Sequence, residues 1–375
     1  MKKVVVYGVR NLDIRRYIET FLDENYRITG YTDGHYTRDI LDGKRFIALE
    51  ALPEWEFDFI LLCASSAAAQ WEMRRTLQAL GIPSEKVIRP LMLLGKGREK
   101  EHADLIADIE RNCRPGWNLI FGLSYSAWGV LEKELSRPFY NCSCPSLDLY
   151  YNFRVLQYLE KRERLAPMET ALLVIPYYYF DYDMSQSPAA YEDGRPFSIW
   201  RLDDWHHYRK VSGAWEYVEN YRMFGEKTVR YYRVPKTNGD DWHVCSDPDG
   251  TSMLGPLWFT DHPGTAEENK ALFVKFFRKV RDWNGRPVLI VPPLYLNGLN
   301  GLSKAAFLKK RETFYSVLKA LEPETGTMDL YDFSERFRGR REWFLDKDHL
   351  NMAGAKAFTE LINQEILNQA GIGRE

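Results

Sequence analysis

Two short stretches far apart in the chain hold side chains that could do covalent chemistry together. The first is Gly122-Leu123-Ser124-Tyr125-Ser126, which follows the apolar run Trp117-Asn-Leu-Ile-Phe121. An apolar strand ending on Gly-x-Ser puts a hydroxyl at its carboxyl end, with the following amides facing a substrate oxygen. Gly-x-Ser is common, and a serine that merely caps a helix reads the same way. The second stretch is Asp346-Lys-Asp348-His349-Leu-Asn351-Met-Ala-Gly354. Here an aspartate and a histidine lie three residues apart, just ahead of an amphipathic helix bearing Phe358, Leu361, Ile362, Ile366 and Leu367. At that spacing the carboxylate can fix the imidazole tautomer and stabilise its cation, which leaves the other ring nitrogen to take a hydroxyl proton. A solvated loop capped by Asn351 is the bland alternative. The aromatic residues ahead of the pair and His-Leu-Asn-x-x-Gly behind it are what set the segment apart.

The elements that must position these groups follow from periodicity. Apolar strands near 117, 171, 287 and 328 alternate with helical patterns, which predicts a parallel sheet covered on both faces. Helices are expected from Asp148 to Glu160, from Thr265 to Trp283 and from Ser303 to Leu321. Residues 1–90 repeat the alternation on a smaller scale, with strands over 4–8, 26–33 and 57–63 and helices over 12–24 and 67–80. Residues 91–115 are charged with a helical pattern and read as a connector, with Arg114-Pro-Gly116 as its boundary. The predicted organisation is therefore a small α/β domain (1–90), a helical connector (91–115) and a larger α/β domain (116–375).

In the small domain, Gly8 sits at the first turn beside Arg10, and Asp33 ends the second strand where a ribose would be met. These three residues are candidates for a weak nucleotide or coenzyme A site. Gly8-Val-Arg-Asn-Leu-Asp lacks the further glycines that let backbone approach a pyrophosphate, so a domain that binds nothing tightly is the competing reading. No other cofactor is expected.

Composition narrows the partners. With 51 Lys+Arg against 53 Asp+Glu, the formal net charge of -2 argues against nucleic acid as the main partner. No apolar run approaches the length of a membrane span. Five cysteines in a chain without a secretion signal read as reduced thiols, and a cytoplasmic location is expected. Aromatic residues make up 14%, and 19 of the 54 fall within residues 177–259. Most of these lie in a predicted insertion at about 184–263, where rings alternate with Arg, Asp and Asn. Flat rings beside such groups suit a pyranose, whose faces are apolar and whose rim is hydroxylic; rings filling a small core explain them equally well. The substrate-binding candidates are Tyr178, Asp181, Trp200, Trp205 and Trp258. His206-His207 is not read as a metal site, because neighbouring side chains are expected to point apart, and no metal is expected elsewhere.

Taken together, the Ser124 and Asp346-x-x-His349 segments resemble the SGNH (GDSL-like) hydrolase superfamily over residues 116–375. The resemblance implies a three-layer parallel-sheet domain in which Ser124 is the nucleophile, His349 the general base and Asp346 the group that orients it. It implies a serine esterase or acyltransferase working through an acyl-enzyme. Gly122-Leu123-Ser124 departs from Gly-Asp-Ser at its middle residue. The block-two glycine and block-three asparagine of the superfamily's oxyanion hole are also missing: the expected segments read Phe139-Tyr-Asn141-Cys-Ser143-Cys-Pro-Ser146 and Tyr177-Tyr-Tyr-Phe180-Asp181. Beside the amide of Tyr125, the oxyanion candidates are therefore Asn141, Ser143 and Ser146. Residues 1–90 resemble the Rossmann-like domains attached to bacterial surface-polysaccharide enzymes, which implies an acylated carbohydrate as the substrate class. A non-catalytic carbohydrate-binding protein on a decayed hydrolase fold, or a nucleotide-dependent transferase using the first domain, are the alternatives.

Overall fold

The computed structural model of the protein describes residues 1–35, 39–90, 105–165, 168–186, 206–207, 214–225, 227, 264–296, 301–346 and 349–368. The chain divides into two compact units, Met1–Ala103 with Ala190–Pro235, and Asp104–Ala189 with Lys236–Glu375.

The first unit is built on β1 (Lys2–Tyr7), whose Val4, Val5 and Val6 are wholly buried, as an unbroken apolar run requires when both sheet faces are covered. It pairs in parallel with β2 (Tyr26–Thr32) on one side. On the other side lies β5 (Phe59–Leu62), also parallel. The full sheet runs β3-β4-β2-β1-β5-β6, with β3 (Ile40–Leu41), β4 (Lys44–Phe46) and β6 (Val87–Ile88) toward its edges. The β3–β4 pair is antiparallel and turns through Asp42 and Gly43, both at positive φ, which is how a two-residue hairpin matches the strand twist. Helix α1 (Leu12–Phe21) starts where the Asn11 side chain accepts the Ile14 amide at 3.1 Å, and α2 (Ala67–Ala79) where Ser66 accepts that of Ala69 at 3.2 Å.

One placement departs from expectation. Sequence places the insertion at 184–263 within the larger domain; the short helical turn Met184–Gln186 does lie in the second unit, yet the helix Ala214–Asn220 and the helical turn Tyr221–Gly225 belong to the first. Met223 and Phe224 are buried in the core formed by β1, β2 and α1, with the Phe224 ring 5.4 Å from that of Tyr17. Glu216 accepts the Arg89 amide at 2.6 Å and pairs with Arg74, while Asn220 donates to the Arg89 carbonyl at 2.8 Å. Phe224, and in part Trp215, thus serve as apolar filling of the first unit's core, as the packing reading of the composition expects. His206 and His207 also differ from expectation. Their rings stack, with centroids 3.7 Å apart, because His206 takes a positive φ instead of alternating as in a strand.

The second unit carries a five-stranded, all-parallel sheet in the order β11-β10-β9-β7-β8. The strands are β7 (Asn118–Gly122), β8 (Phe139–Asn141), β9 (Thr170–Val174), β10 (Arg286–Val291) and β11 (Asp329–Asp332). Its helices are α3 (Leu105–Asn112), α4 (Ser124–Gly129), α5 (Leu149–Lys161), α6 (Thr265–Asp282), α7 (Gly301–Thr325) and α8 (Met352–Ile362). Strands β7 and β9 are buried at every position, and Phe121 meets Phe276 of α6 edge-on at 5.0 Å. The four described cysteines, Cys63, Cys113, Cys142 and Cys144, are buried thiols. Among the described residues, no helix is long and apolar enough to cross a membrane.

Asp148 is the wholly buried N-cap of α5, accepting the amides of Tyr151 and Met184 at 2.9 Å each. Burial pushes its carboxyl up to about 7, helped by the neighbouring charge of Asp183 and opposed by those two amides. A carboxyl raised on folding stabilises the fold most below its unfolded value and loses that contribution as pH rises toward 7, at about 1.4 kcal/mol per pH unit. Asp148→Asn, in which the amide stands in for the protonated acid, should flatten this slope. Denaturant titrations at pH 5 and pH 7.5 would show it as a smaller loss of stability in the variant than in the wild type.

Candidate active site

The carboxyl end of β7 makes a sharp exit. Gly122 has φ +145°, and a Cβ there would lie 2.3 Å from the Val174 carbonyl oxygen of β9 and 2.4 Å from Ser126 Oγ. Only glycine lets the neighbouring strand and the first turn of α4 approach so closely. Asn152, fully buried on α5, holds this exit from behind. Its Oδ1 accepts the Gly122 amide at 2.9 Å, and its Nδ2 donates to the Gly122 carbonyl at 3.3 Å and the Asp148 carbonyl at 2.8 Å. The chain then enters α4 at Ser124. The amides of Ser126 and Ala127 both return to the Leu123 carbonyl, and no side chain caps the helix. The first-turn amides of Ser124 and Tyr125 thus stand beside the Ser124 hydroxyl, where a helix start presents donors to an anion.

The second half of the site comes from the loop ahead of α8. Phe344 and Leu350 form an antiparallel bridge, and the Leu345 amide donates to the His349 carbonyl at 2.8 Å. Asn351 caps α8 by accepting the Gly354 amide at 3.1 Å and also donates to the Glu342 carbonyl at 2.7 Å. Gly354 is required because a Cβ would fall 2.1 Å from the Trp343 carbonyl oxygen. The Asn-x-x-Gly behind the histidine is therefore a device that folds the loop back onto the helix start.

The two halves meet. His349 Nε2 lies 2.8 Å from Ser124 Oγ, and His349 Nδ1 lies 2.8 Å and 3.0 Å from the two oxygens of Asp346. Asp346 also accepts the backbone amide of His349 at 2.8 Å, which fixes both residues in one turn. Ser124 and His349 are 7% and 9% exposed, so their contact is largely shielded from solvent. The imidazole is bounded by two rings of α4, Tyr125 stacked on it at 5.4 Å and Trp128 tilted against it at 4.9 Å. Behind the site, α8 is tied to the segment after α4. The Leu131 amide donates to Thr359 Oγ1 at 3.0 Å, the Ser136 amide to Asn363 Oδ1 at 2.8 Å, and Asn363 Nδ2 to the Glu134 carbonyl at 2.9 Å.

The other expected residues fall in varied places. Asn141 is fully buried at the end of β8, where its Nδ2 donates to the Ser126 carbonyl at 2.8 Å and its Oδ1 accepts the Ser143 amide at 3.0 Å. Its carboxamide is engaged in holding α4 against the β8 exit. The Ser143 hydroxyl receives that of Ser126 at 2.7 Å. Ser146 takes φ +62°, and its carbonyl accepts the Tyr182 hydroxyl at 2.9 Å. Tyr178 is only 2% exposed and packs edge-on against Tyr182, and Asp181 is paired with Lys310 of α7, so both sit within the fold. Trp200, Trp205 and Trp258 lie outside the described residues. In the first unit, the space beside Gly8 is filled: a Cβ would lie 2.9 Å from Met73 Cε and 3.1 Å from the Cys63 carbonyl oxygen. Asp33 spends one oxygen on the Val9 amide at 3.0 Å and the other on that of His35 at 2.9 Å, and Arg10 is exposed. Sequence reasoning does not single out Trp128 or Asn152. The four-residue interval from Ser124 to Trp128, which puts both on one helix face, is the available signal for the first.

Residues 1–88 match the family described as C2185-like, N-terminal. No curated protein matches the chain. Among solved structures, the chain is similar to a protein from Parabacteroides merdae ATCC 43184 described as a GDSL-like lipase. The identity is 12% and the TM-score 0.31, over 67% of this chain and 95% of that one.

Proposed function

We propose that the second unit is a serine esterase or O-acyltransferase acting on an acylated carbohydrate. The observation that carries this reading is the unbroken line of hydrogen bonds from Ser124 Oγ through His349 to Asp346, with distances of 2.8 Å at each step. Ser124 Oγ attacks the ester carbonyl carbon as its proton passes to His349 Nε2. The tetrahedral adduct collapses with cleavage of the ester C–O bond, and the imidazolium returns the proton to the departing sugar hydroxyl. Water or an acceptor hydroxyl then attacks the acyl-enzyme, giving its proton to the same nitrogen, and Ser124 leaves with that proton restored. Asp346 keeps Nδ1 protonated throughout and stabilises the cation between steps. The amides of Ser124 and Tyr125 receive the developing oxyanion. The carbohydrate assignment rests on the resemblance of the sequence to surface-polysaccharide enzymes.

A fluorophosphonate probe tests the nucleophile. It should label the wild-type protein covalently and leave Ser124→Ala unlabelled; equal labelling of the two would overturn the assignment.

A further inference from the structure

We propose that Trp128, together with Tyr125, is a positioning residue that clamps the His349 imidazole between its two hydrogen-bonding partners. The inference deepens the serine-hydrolase reading and rests on it for its catalytic consequence. An imidazole held only by Asp346 and Ser124 can still rock about the axis joining them, because two in-plane hydrogen bonds do little to resist tilt. Here the ring meets Tyr125 nearly face to face, at 5.4 Å and 24°, and Trp128 at 4.9 Å and 59°. Offset-stacked and tilted ring pairs at such distances are favourable beyond the area they bury. The stacked phenol also presents its ring face toward a group that becomes cationic during turnover.

The geometry explains why both walls come from one short helix. Ser124, Tyr125 and Trp128 occupy positions i, i+1 and i+4 of α4, so the nucleophile and Trp128 stand one above the other on the same face. Any shift of the helix carries the hydroxyl and both walls together. The imidazole, delivered from a loop far along the chain, is thereby registered against the nucleophile itself. That matters because displacing a reacting group by about 1 Å can cost on the order of 10²-fold in rate. Behind Gly129, next along the helix, Leu350 and Phe358 pack at ordinary contact distance, 3.6 Å and 3.8 Å from where a Cβ would be.

Two readouts test the clamp. The first is the rate of fluorophosphonate labelling, which Trp128→Leu should lower by about 10- to 100-fold, whereas Trp128→Phe, which keeps a ring, should stay within about threefold of wild type. The second does not depend on reactivity. In a Ser124→Ala background, the low-field proton resonance of His349 Nδ1–H against Asp346 should be sharp with Trp128 present and broadened or lost in Trp128→Leu. An unchanged resonance overturns the clamp whatever the labelling does. A wild-type protein that fails to label, with a resonance that still depends on Trp128, leaves the clamp standing and removes the nucleophile reading instead. Should Trp128→Leu not fold, a Trp128→Phe protein with strongly slowed labelling and a broadened resonance would equally overturn the proposal.

Discussion

Turnover of an aryl acetate should fall by about 10⁵–10⁶-fold when His349 is replaced by alanine, and by about 10⁴-fold in Asp346→Asn. The two losses differ because the residues do different things. In the proposed mechanism His349 is the group that accepts the Ser124 proton, across 2.8 Å, and its removal takes away the base hydrogen-bonded to the hydroxyl. In that mechanism Asp346 moves no proton. An asparagine there could accept the His349 backbone amide through its oxygen while turning its NH₂ toward Nδ1. That would favour the tautomer whose Nε2 already carries hydrogen and cannot act as base. Asp346→Asn should fold much as the wild type does, since that side chain is 18% exposed, whereas His349→Ala empties a buried place beside Tyr125 and Trp128, so its rate is compared at temperatures where circular dichroism shows it folded. Combining the substitutions should cost no more than His349→Ala alone, because the members act as one unit. Additive losses in the double variant would show that the two residues contribute separately, contrary to the proposed chain. Steady-state rates with para-nitrophenyl acetate would decide it.

The second large effect is structural. Gly122→Ala should destabilise the second unit by roughly 3–5 kcal/mol, the sum of a glycine-only backbone conformation and overpacking against rigid neighbours. The new methyl would meet the Val174 carbonyl oxygen at 2.3 Å, and Val174 is a buried strand residue paired with Gly122 itself. The neighbour on the other side, Ser126 Oγ, is held by the Leu123 carbonyl and Ser143, so it has no easy escape. The strain can be relieved only by moving α4 away from β9, which takes Ser124 out of line with His349. Denaturation should therefore show a lower midpoint, and labelling at Ser124 should fall even at temperatures where the variant is folded. A variant with wild-type stability would mean that the strand exit is far softer than its contacts imply.

How much of this is legible in the sequence varies element by element. Serine and histidine are readable because each carries a local signature: a buried strand that stops at Gly122, and an Asp-x-x-His followed by an Asn-x-x-Gly cap. The parallel strands are readable for a similar reason, since a short unbroken apolar run suits a strand covered on both faces. Ala171, Leu172, Leu173 and Val174 form such a run, and all four are buried. The short strands β3, β4 and β6 escape, although Asp42-Gly43 is a hairpin signal, because two or three residues are too few to show a period. The partition of the insertion escapes for a deeper reason. Met223 and Phe224 reach the core of α1 and β1 across about 200 residues of sequence, and nothing local in an aromatic-rich stretch says which sheet its rings will cover. Asn141 shows the same limit in miniature. Its residue type suits an oxyanion donor, but its engagement with Ser126 and Ser143 is a product of tertiary packing.

The bonds from Thr359 and Asn363 to the backbone of Leu131, Glu134 and Ser136 have a consequence for biosynthesis. During translation, Ser124 emerges and can fold onto β7 and β8 long before its partner histidine exists. The imidazole arrives only when residues beyond 349 have been made, and it is held only once residue 363 has left the ribosome and closed those bonds. On the proposed mechanism, reactivity at Ser124 is thus acquired only after this helix has been made, and a stalled or clipped chain lacking it would carry an inert serine.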